Sequence, residues 1–149
     1  FELLRRVAAR PAVDVLKLLD AVIFNLIAGN ADAHGKNFSI LYGDEGPRLA
    51  PLYDLLATVA YPDLSQKFAM RIEKRATLAE LDAKDWNAFA ADAGLGLPLV
   101  RRRIAEISER VRTMATQTAD TLFTQGLDKA ALGRFSDMTL ERAERSAKT

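Results

Sequence analysis

The feature that most constrains the fold of this chain is a helical repeat of apolar side chains after Pro98. Apolar or small residues recur there every three or four positions, at Val100, Ile104, Ile107, Val111, Met114, Thr118 and Leu122. This spacing places them on one face of a helix, so it predicts a single long amphipathic helix that ends near Gln125. A mostly helical domain is therefore the expected fold.

Shorter helical patterns occupy much of the remaining sequence. The segment that begins at Pro11 is apolar on most sides beyond Asp20 and ends at Gly29-Asn30, a pair suited to a left-handed helix cap. Because this helix is only about four or five turns long, a buried core helix over residues 11–28 is expected instead of a membrane span. Helical segments are also predicted over residues 55–60, 77–93 and 127–147.

One region between these helices has a β pattern. Residues 38–42 alternate in polarity, residues 43–47 are dense in turn formers, and residues 48–52 can return as a second strand. Pro47 and Pro51 indicate that the second strand lies at an edge. A further short strand is predicted over residues 67–72. The expected fold class is therefore mainly α with a small β-hairpin (α+β), in one domain.

Composition excludes several classes of function. The 149 residues carry a net charge of +1, which disfavours non-specific DNA binding through phosphate contacts. The absence of cysteine excludes disulfides, thiolate nucleophiles and CxxC zinc sites, and a single histidine excludes two-histidine metal motifs. No apolar run approaches the roughly 18 residues that span a bilayer. A cytoplasmic protein without membrane contact is expected.

The candidate site is the polar loop between the buried helix and the hairpin. Asp32 is followed five positions later by Asn37, and Asp54 comes just after the second predicted strand. Kinase-type phosphoryl transfer needs such groups: one carboxylate near the acceptor hydroxyl, and an Asn with a second Asp that hold magnesium on the nucleotide phosphates. The catalytic loop of protein kinases has the same Asp-to-Asn spacing.

The spacing alone is not specific, because Asp20 with Asn25 and Asp82 with Asn87 repeat it. Both of those pairs lie in predicted helices, where five residues turn the chain by roughly 500° and leave the side chains about 140° apart. Residues 32 and 37 lie instead in a loop that can turn both side chains toward one point. The hairpin can then return Asp54 beside them.

Ordinary structural roles also fit these three residues. Asp32 could be a turn residue, Asn37 a cap, and Asp54 the N-cap of the following helix. The order of helix, polar loop, hairpin and acidic residue, which is that of a kinase C-lobe, favours the catalytic interpretation.

Three neighbouring side chains are further candidates. His34 either acts in proton transfer or, as the loop favours, hydrogen-bonds to backbone or packs beside the nucleotide. Lys36 either neutralises phosphate charge or is a solvated loop lysine. Tyr53 either lines the nucleotide pocket or fills the core. Elsewhere, the basic run of residues 101–103 opposes the macrodipole of its helix, and a solvated face is favoured over an acidic partner.

The loop resembles a known family. The string over residues 29–40, GNADAHGKNFSI, and the string over residues 49–56, LAPLYDLL, are similar to the C-terminal domain of the HipA family. These are bacterial Ser/Thr kinases that act as toxins of type II toxin–antitoxin systems. The resemblance covers roughly residues 22–56, and the helical remainder agrees in character only.

The resemblance implies a role for each site residue. Asp32 corresponds to the catalytic Asp, whereas Asn37 and Asp54 correspond to ligands of Mg²⁺. His34 and Tyr53 match positions that contact the nucleotide. The implied reaction transfers the γ-phosphate of ATP to a protein serine or threonine. The implied partners are that protein substrate and a small HipB-like antitoxin, through which any DNA contact would be indirect.

The resemblance also implies a missing part. Kinases carry a phosphate-covering loop and an ATP-orienting lysine in an N-terminal lobe, and no glycine precedes Gly29. Residues 1–149 are therefore expected to be a single helical kinase C-lobe without its N-terminal lobe, inactive in isolation. Two alternatives remain at this point: a catalytically inactive helical module that binds an antitoxin or another partner, and a metal-dependent phosphohydrolase.

Overall fold

The computed structural model describes residues 1–148. Within them the chain forms five α-helices and one two-stranded sheet. In chain order these are α1 (Glu2–Val7), α2 (Pro11–Ala28), β1 (Ile40–Gly43), β2 (Gly46–Leu49), α3 (Ala83–Asp92), α4 (Leu97–Thr124) and α5 (Lys129–Ala147). The predicted class, mainly α with a small β-hairpin, is confirmed.

The helix α2 is the centre of the core. Its residues Leu19, Ile23 and Ile27 are fully buried, and they belong to one apolar cluster with side chains of α3, α4 and α5. Proline at the first turn suits a helix start, because its missing N–H would have had no partner there. The helix ends at Gly29, which adopts the predicted left-handed conformation with φ of 78°.

The long helix after Pro98 is also confirmed, and it is 28 residues long. Its buried residues are Val100, Ile104, Ile107 and Ser108, all in its first half. A short connection over residues 125–128 leads into α5, which packs along α4. Asp128 caps α5, since its carboxylate accepts the N–H of Ala131.

The hairpin forms where it was predicted, with shorter strands. Ile40 pairs with Leu49 and Gly43 with Gly46 in an antiparallel register. Gly46 has φ of 89°, a conformation that glycine adopts at little cost after the turn. The buried side chain of Leu49 packs against α1 and α2, so the hairpin rests on the helical layer. The second strand stops before Pro51.

Three predicted elements were wrong or misplaced. Residues 55–60 contain only a 3₁₀ turn, Thr58–Ala60, because the N–H of Val59 and the hydroxyl of Thr58 bond to Gly29 at the end of α2. Residues 67–72 form no strand: the N–H groups of Phe68 and Ala69 bond to loop carbonyls and not to a ladder, and Ile72 makes one isolated bridge.

The third misplacement is the start of the helix predicted over residues 77–93. Asp82 accepts the N–H groups of Lys84 and Asp85, and the helix α3 therefore begins only at Ala83. A separate 3₁₀ turn, Leu78–Glu80, precedes it. In the part of the chain that the structure describes, every helix is too short or too polar to cross a membrane.

Candidate active site in the loop after α2

The loop begins where the backbone must turn away from α2. Gly29 is in the left-handed region, which costs a residue with a Cβ atom roughly 1–2 kcal/mol. A methyl group at this position would also lie 2.2 Å from Cγ2 of Val59. Glycine is therefore required both by its backbone conformation and by the close approach of the segment around Val59.

Hydrogen bonds tether the start of the loop to that segment. The N–H of Val59 donates to the carbonyl of Gly29 at 3.1 Å, and the hydroxyl of Thr58 donates to the same carbonyl at 3.2 Å. The N–H of Ala31 donates to the Thr58 hydroxyl at 2.8 Å. The N–H of Ala69 reaches the Ala31 carbonyl at 2.7 Å. Two distant parts of the chain therefore hold the loop.

Side-chain amides extend these tethers to the acidic residue after the hairpin. Asn30 is buried, and its Nδ2 donates to Oδ1 of Asn25 at 2.9 Å and to the carbonyl of Asp54 at 2.8 Å. Asn25 is buried as well and donates to the Ala21 carbonyl. This chain of amides joins α2 directly to the backbone of Asp54.

Asn37 and Asp54 lie in contact. Nδ2 of Asn37 donates to Oδ2 of Asp54 at 2.5 Å, and Oδ1 of Asn37 accepts the N–H of His34 at 2.8 Å. Asp54 has φ of 57°, a left-handed conformation that Asp tolerates better than most residues. The bonds from Asn30 and Asn37 hold it there, so both its carbonyl and its carboxylate have fixed positions.

Asp32 stands apart from that pair. Its side chain is exposed and makes no hydrogen bond or ion pair with any of residues 1–148. It occupies the same loop as Asn37, yet the two side chains are not joined by a hydrogen bond. The loop therefore carries one exposed carboxylate in addition to the fixed amide–carboxylate pair.

The structure places Tyr53 at the surface and gives its hydroxyl a bracing contact. Its side chain is exposed, so the interpretation as a core residue was wrong. Its hydroxyl donates to the carbonyl of Lys36 at 2.6 Å and lies 2.7 Å from the hydroxyl of Ser39. It therefore braces the far end of the loop. The side chain of Lys36 is exposed, and that of His34 is partly buried.

The donor atoms suit a magnesium ion. Mg²⁺ is commonly held by one or two protein oxygens, with phosphates and water completing its octahedral shell. Asp54 has a second carboxylate oxygen beside the one that Asn37 occupies, and the Asn37 carbonyl oxygen has a second lone pair. Residues 1–148 contain no group of three or more His, Cys, Asp and Glu side chains that would form an all-protein cage.

Sequence reasoning missed three residues that support this loop. Asn30 was assigned only to the helix end, and Thr58 and Arg142 were not singled out. Arg142 of α5 donates from Nε and Nη2 to the Leu26 carbonyl at 3.1 and 2.6 Å, and from Nε to the Ile27 carbonyl at 3.2 Å. Burial lowers the pKa of its guanidinium. The one available signal in the sequence was Asn25, a polar residue inside the apolar run of α2, whose side chain bonds to Asn30.

The basic run of residues 101–103 is not uniformly solvated as predicted. Arg101 and Arg102 are exposed, but Arg103 forms a two-nitrogen fork on Asp20, with N–O distances of 2.7 and 2.6 Å. The hydrogen bonds to Asp20 raise the pKa of Arg103. Arg103 also pairs with Glu106. This ion pair joins the middle of α2 to the first turns of α4.

Comparison with known proteins adds to this geometry. A sequence model described as "HipA-like C-terminal domain" matches residues 1–119. The chain is 61% identical over 144 residues to a Sinorhizobium fredii protein named "Putative kinase Y4mE", an alignment that covers 97% of this chain and 34% of that protein. It is 31% identical over 129 residues to "Serine/threonine-protein kinase toxin HipA" of Shewanella oneidensis, covering 86% and 30%.

A solved structure agrees with these sequence matches. HipA in the complex of the Shewanella oneidensis MR-1 toxin–antitoxin proteins HipA and HipB with operator DNA superposes with a TM-score of 0.84 at 29% identity. The match covers 95% of this chain and 34% of that one, and the chain spans about a third of the length of its curated relatives. Because the family match extends over most of the sequence, this chain belongs to the family of HipA-like C-terminal domains.

Proposed function

We propose that this chain is the helical catalytic lobe of a Mg²⁺- and ATP-dependent protein serine/threonine kinase. The observation that carries the proposal is the 2.5 Å contact of Asn37 with Asp54, in a loop that also carries the exposed carboxylate of Asp32. Loops from three parts of the chain are tethered to produce that arrangement. The kinase names of two relatives in the same family support the reaction class.

Each residue of the site then has a distinct task. Asp32 orients the acceptor hydroxyl and takes its proton, which requires a carboxylate that is not already engaged. Asn37 and Asp54 hold the metal through the amide oxygen and the carboxylate. Bound Mg²⁺ neutralises charge that develops on the transferred phosphoryl group.

The neighbouring residues complete the nucleotide side of the site. Lys36 is exposed at the loop and places a positive charge where the phosphates would lie. His34 fixes the Asn37 amide through its backbone N–H and presents its ring to the nucleotide. Tyr53 lies next to Asp54 and braces the loop through its hydroxyl while its ring contacts the nucleotide.

The proposal extends to the protein that contains this chain. Since the chain corresponds to about a third of its relatives, we assign the phosphate-covering loop and the ATP-orienting lysine to the remaining part. The whole protein would act in the cytoplasm as the toxin of a toxin–antitoxin pair. A HipB-like antitoxin would restrain it and supply any contact with DNA, as the complex of the solved relative suggests. The isolated lobe would bind ATP poorly.

An Asp32→Ala substitution in the full-length protein tests the assignment. We expect transfer of labelled γ-phosphate to protein to fall by at least about 10³-fold, since the acceptor hydroxyl loses its base and its orienting group. Asp44→Ala, in the exposed hairpin turn, is the control and should leave transfer unchanged. Phosphorylation that survives in the Asp32 variant would refute the assignment.

A second measurement separates a kinase from a module that only binds partners. Nucleotide binding by the full-length protein should require Mg²⁺. Asp54→Ala should abolish this magnesium-dependent binding. A partner-binding module would bind no nucleotide in either form. Release of free phosphate without any labelled protein would indicate a phosphohydrolase instead.

A further inference from the structure

The C-terminal end of α2 needs partners that its own sequence does not supply. The last carbonyls of a helix lack intrahelical donors, and the negative end of the helix dipole favours a nearby cation. The carbonyl of Asn25 receives the N–H groups of Gly29 and Asn30. The carbonyls of Leu26 and Ile27 come next, and the last turn of α2 contains no basic residue.

Arg142 supplies both needs from α5, more than a hundred residues along the chain. Its guanidinium donates to the carbonyls of Leu26 and Ile27, with the shortest distance 2.6 Å from Nη2 to Leu26. None of the carboxylates in residues 1–148 forms an ion pair with it. The nearby charge of Glu141 acts on this partly buried cation without an ion pair, and the carbonyls at the helix end are the groups that its guanidinium contacts directly.

The same guanidinium lies against the first residue of the loop. A methyl group at Gly29 would be 3.3 Å from Nε of Arg142, on the side where Val59 also approaches. Two turns earlier in α5, the ring of Phe135 contacts that of Tyr61, with centroids 6.3 Å apart. The helix α5 therefore contacts two segments that flank the site, the end of α2 and the segment after Asp54.

We infer that Arg142 is a positioning residue for the catalytic loop. By clamping the Leu26 and Ile27 carbonyls it fixes the direction in which the chain leaves α2, and with it the placement of Asn30 and Asp32. Asn30 transmits the same constraint to Asp54, because its Nδ2 donates to the Asp54 carbonyl. The effect of Arg142 on the reaction rate rests on the proposed kinase function. Its effect on the position of the loop is independent of that function.

A purely structural role would be different. Arg142 would then only attach α5 to α2, and its loss would lower the melting temperature without altering the folded site. Arg145 provides the matched control, because it lies on the same helix and donates from Nη2 to the Ala79 carbonyl at 2.7 Å, away from the loop. Arg142→Met removes the contacts with the Leu26 and Ile27 carbonyls, and Arg145→Met removes the one contact with the Ala79 carbonyl.

The test uses the full-length protein and two readouts below its melting temperature. Hydrogen exchange of the peptide over residues 29–37 should be about tenfold faster in Arg142→Met, as expected for the loss of a charged hydrogen bond, and unchanged in Arg145→Met. The maximal rate of autophosphorylation should fall about 10- to 100-fold, because small misplacement of reacting groups is costly. The ATP concentration for half-maximal rate should stay within about threefold in that variant.

The milder Arg142→Lys variant keeps the charge at the helix end and loses the two-nitrogen fork, so it should give intermediate values of both readouts. It decides the question if Arg142→Met does not fold. The inference is overturned if the loop peptide exchanges as in the wild type, or if the rate falls no more than in Arg145→Met. If the wild-type protein phosphorylates nothing, the proposed function fails, and the exchange readout alone decides the role of Arg142.

Discussion

The loop after α2 and the packed pair of α4 and α5 are held by opposite kinds of interaction. Around the loop the contacts are hydrogen bonds: Asn30 and Asn37 are buried amides, and each bonds to Asp54. At the base of α4 the contacts are apolar, with Val100 and Ile104 buried in the main core. Directional hydrogen bonds therefore fix the geometry of the loop, whereas burial of apolar surface holds the base of α4.

This difference separates two kinds of sensitivity. Apolar burial contributes roughly 25 cal/mol per Å² and has no preferred direction, so losses in α4 should appear in the free energy of unfolding. Hydrogen bonds contribute less to net stability but fix geometry, so losses in the loop should appear in the rate of reaction. Substitutions in each region can test whether the two effects are separable.

The largest effect on stability is expected for Ile104→Ala. Removing this buried side chain leaves a cavity next to α2 and should lower the free energy of unfolding by about 3–4 kcal/mol. Urea unfolding measures the loss, with the half-exposed Met114→Ala as a control that should cost under about 1 kcal/mol. A reduced phosphorylation rate per folded Ile104→Ala molecule would break the separation.

A glycine pair compares the two regions with one chemical change. Gly29→Ala meets both a left-handed backbone and Val59, and should cost about 2–3 kcal/mol and most of the activity. Gly133→Ala lies in α5, where a methyl group would meet nothing within 4 Å in residues 1–148 beyond its chain neighbours and the helix's own backbone, and it should raise the free energy of unfolding by about 0.5–1 kcal/mol. Melting temperatures of the two variants should therefore move in opposite directions, and equal shifts would contradict the comparison.

The ion pair of Asp20 with Arg103 joins α2 to α4 and tests whether a polar contact outside the loop affects the rate. A double-mutant cycle with Asp20→Asn and Arg103→Met should give a coupling of about 1 kcal/mol, since both side chains are partly exposed. Raising the salt concentration should reduce it. Activity should not change in either single variant, because neither side chain contacts the loop. A loss of rate would place α4 within the site's supporting structure.

The smallest effect is a pH dependence at α3. Hydrogen bonds from the N–H groups of Asp85 and Lys84 lower the pKa of Asp82 below its ordinary value of 3.8. The charged cap therefore stabilises the fold above that value, and this contribution is lost as pH falls through the lower, folded pKa. Asp82→Asn keeps a capping oxygen without the titration. Its melting temperature should fall less steeply below pH 4 than that of the wild type, and parallel curves would contradict the cause.

The long apolar periods were sufficient to predict α2 and α4, because burial of one helix face leaves a direct record in the sequence. The short elements were not predictable in the same way. Residues 55–60 have an apolar pattern typical of a helix, but Thr58 and Val59 bond to Gly29 and prevent one. Tertiary hydrogen bonds of this kind have no local signal.

The candidate site was likewise predictable only in part. The loop and the return of the hairpin predicted that Asn37 and Asp54 would meet, and they are in contact. The roles of these residues and of Asp32 remain predictions. Arg142 was out of reach, because its partners are main-chain carbonyls of α2, and a carbonyl has no residue-specific signature in a sequence.

The confinement of buried residues to the first half of α4 has a consequence for how the molecule opens. Beyond Ser108 the described residues of α4 are all at least partly exposed, and in α5 the buried positions are Ala143 and Ser146, near its end. The far end of this helical hairpin therefore contributes little to the common core, and we expect it to open as a separate cooperative unit. We expect its amides to exchange through local opening while those at its base require global unfolding, so a protease should first cut near Gly126.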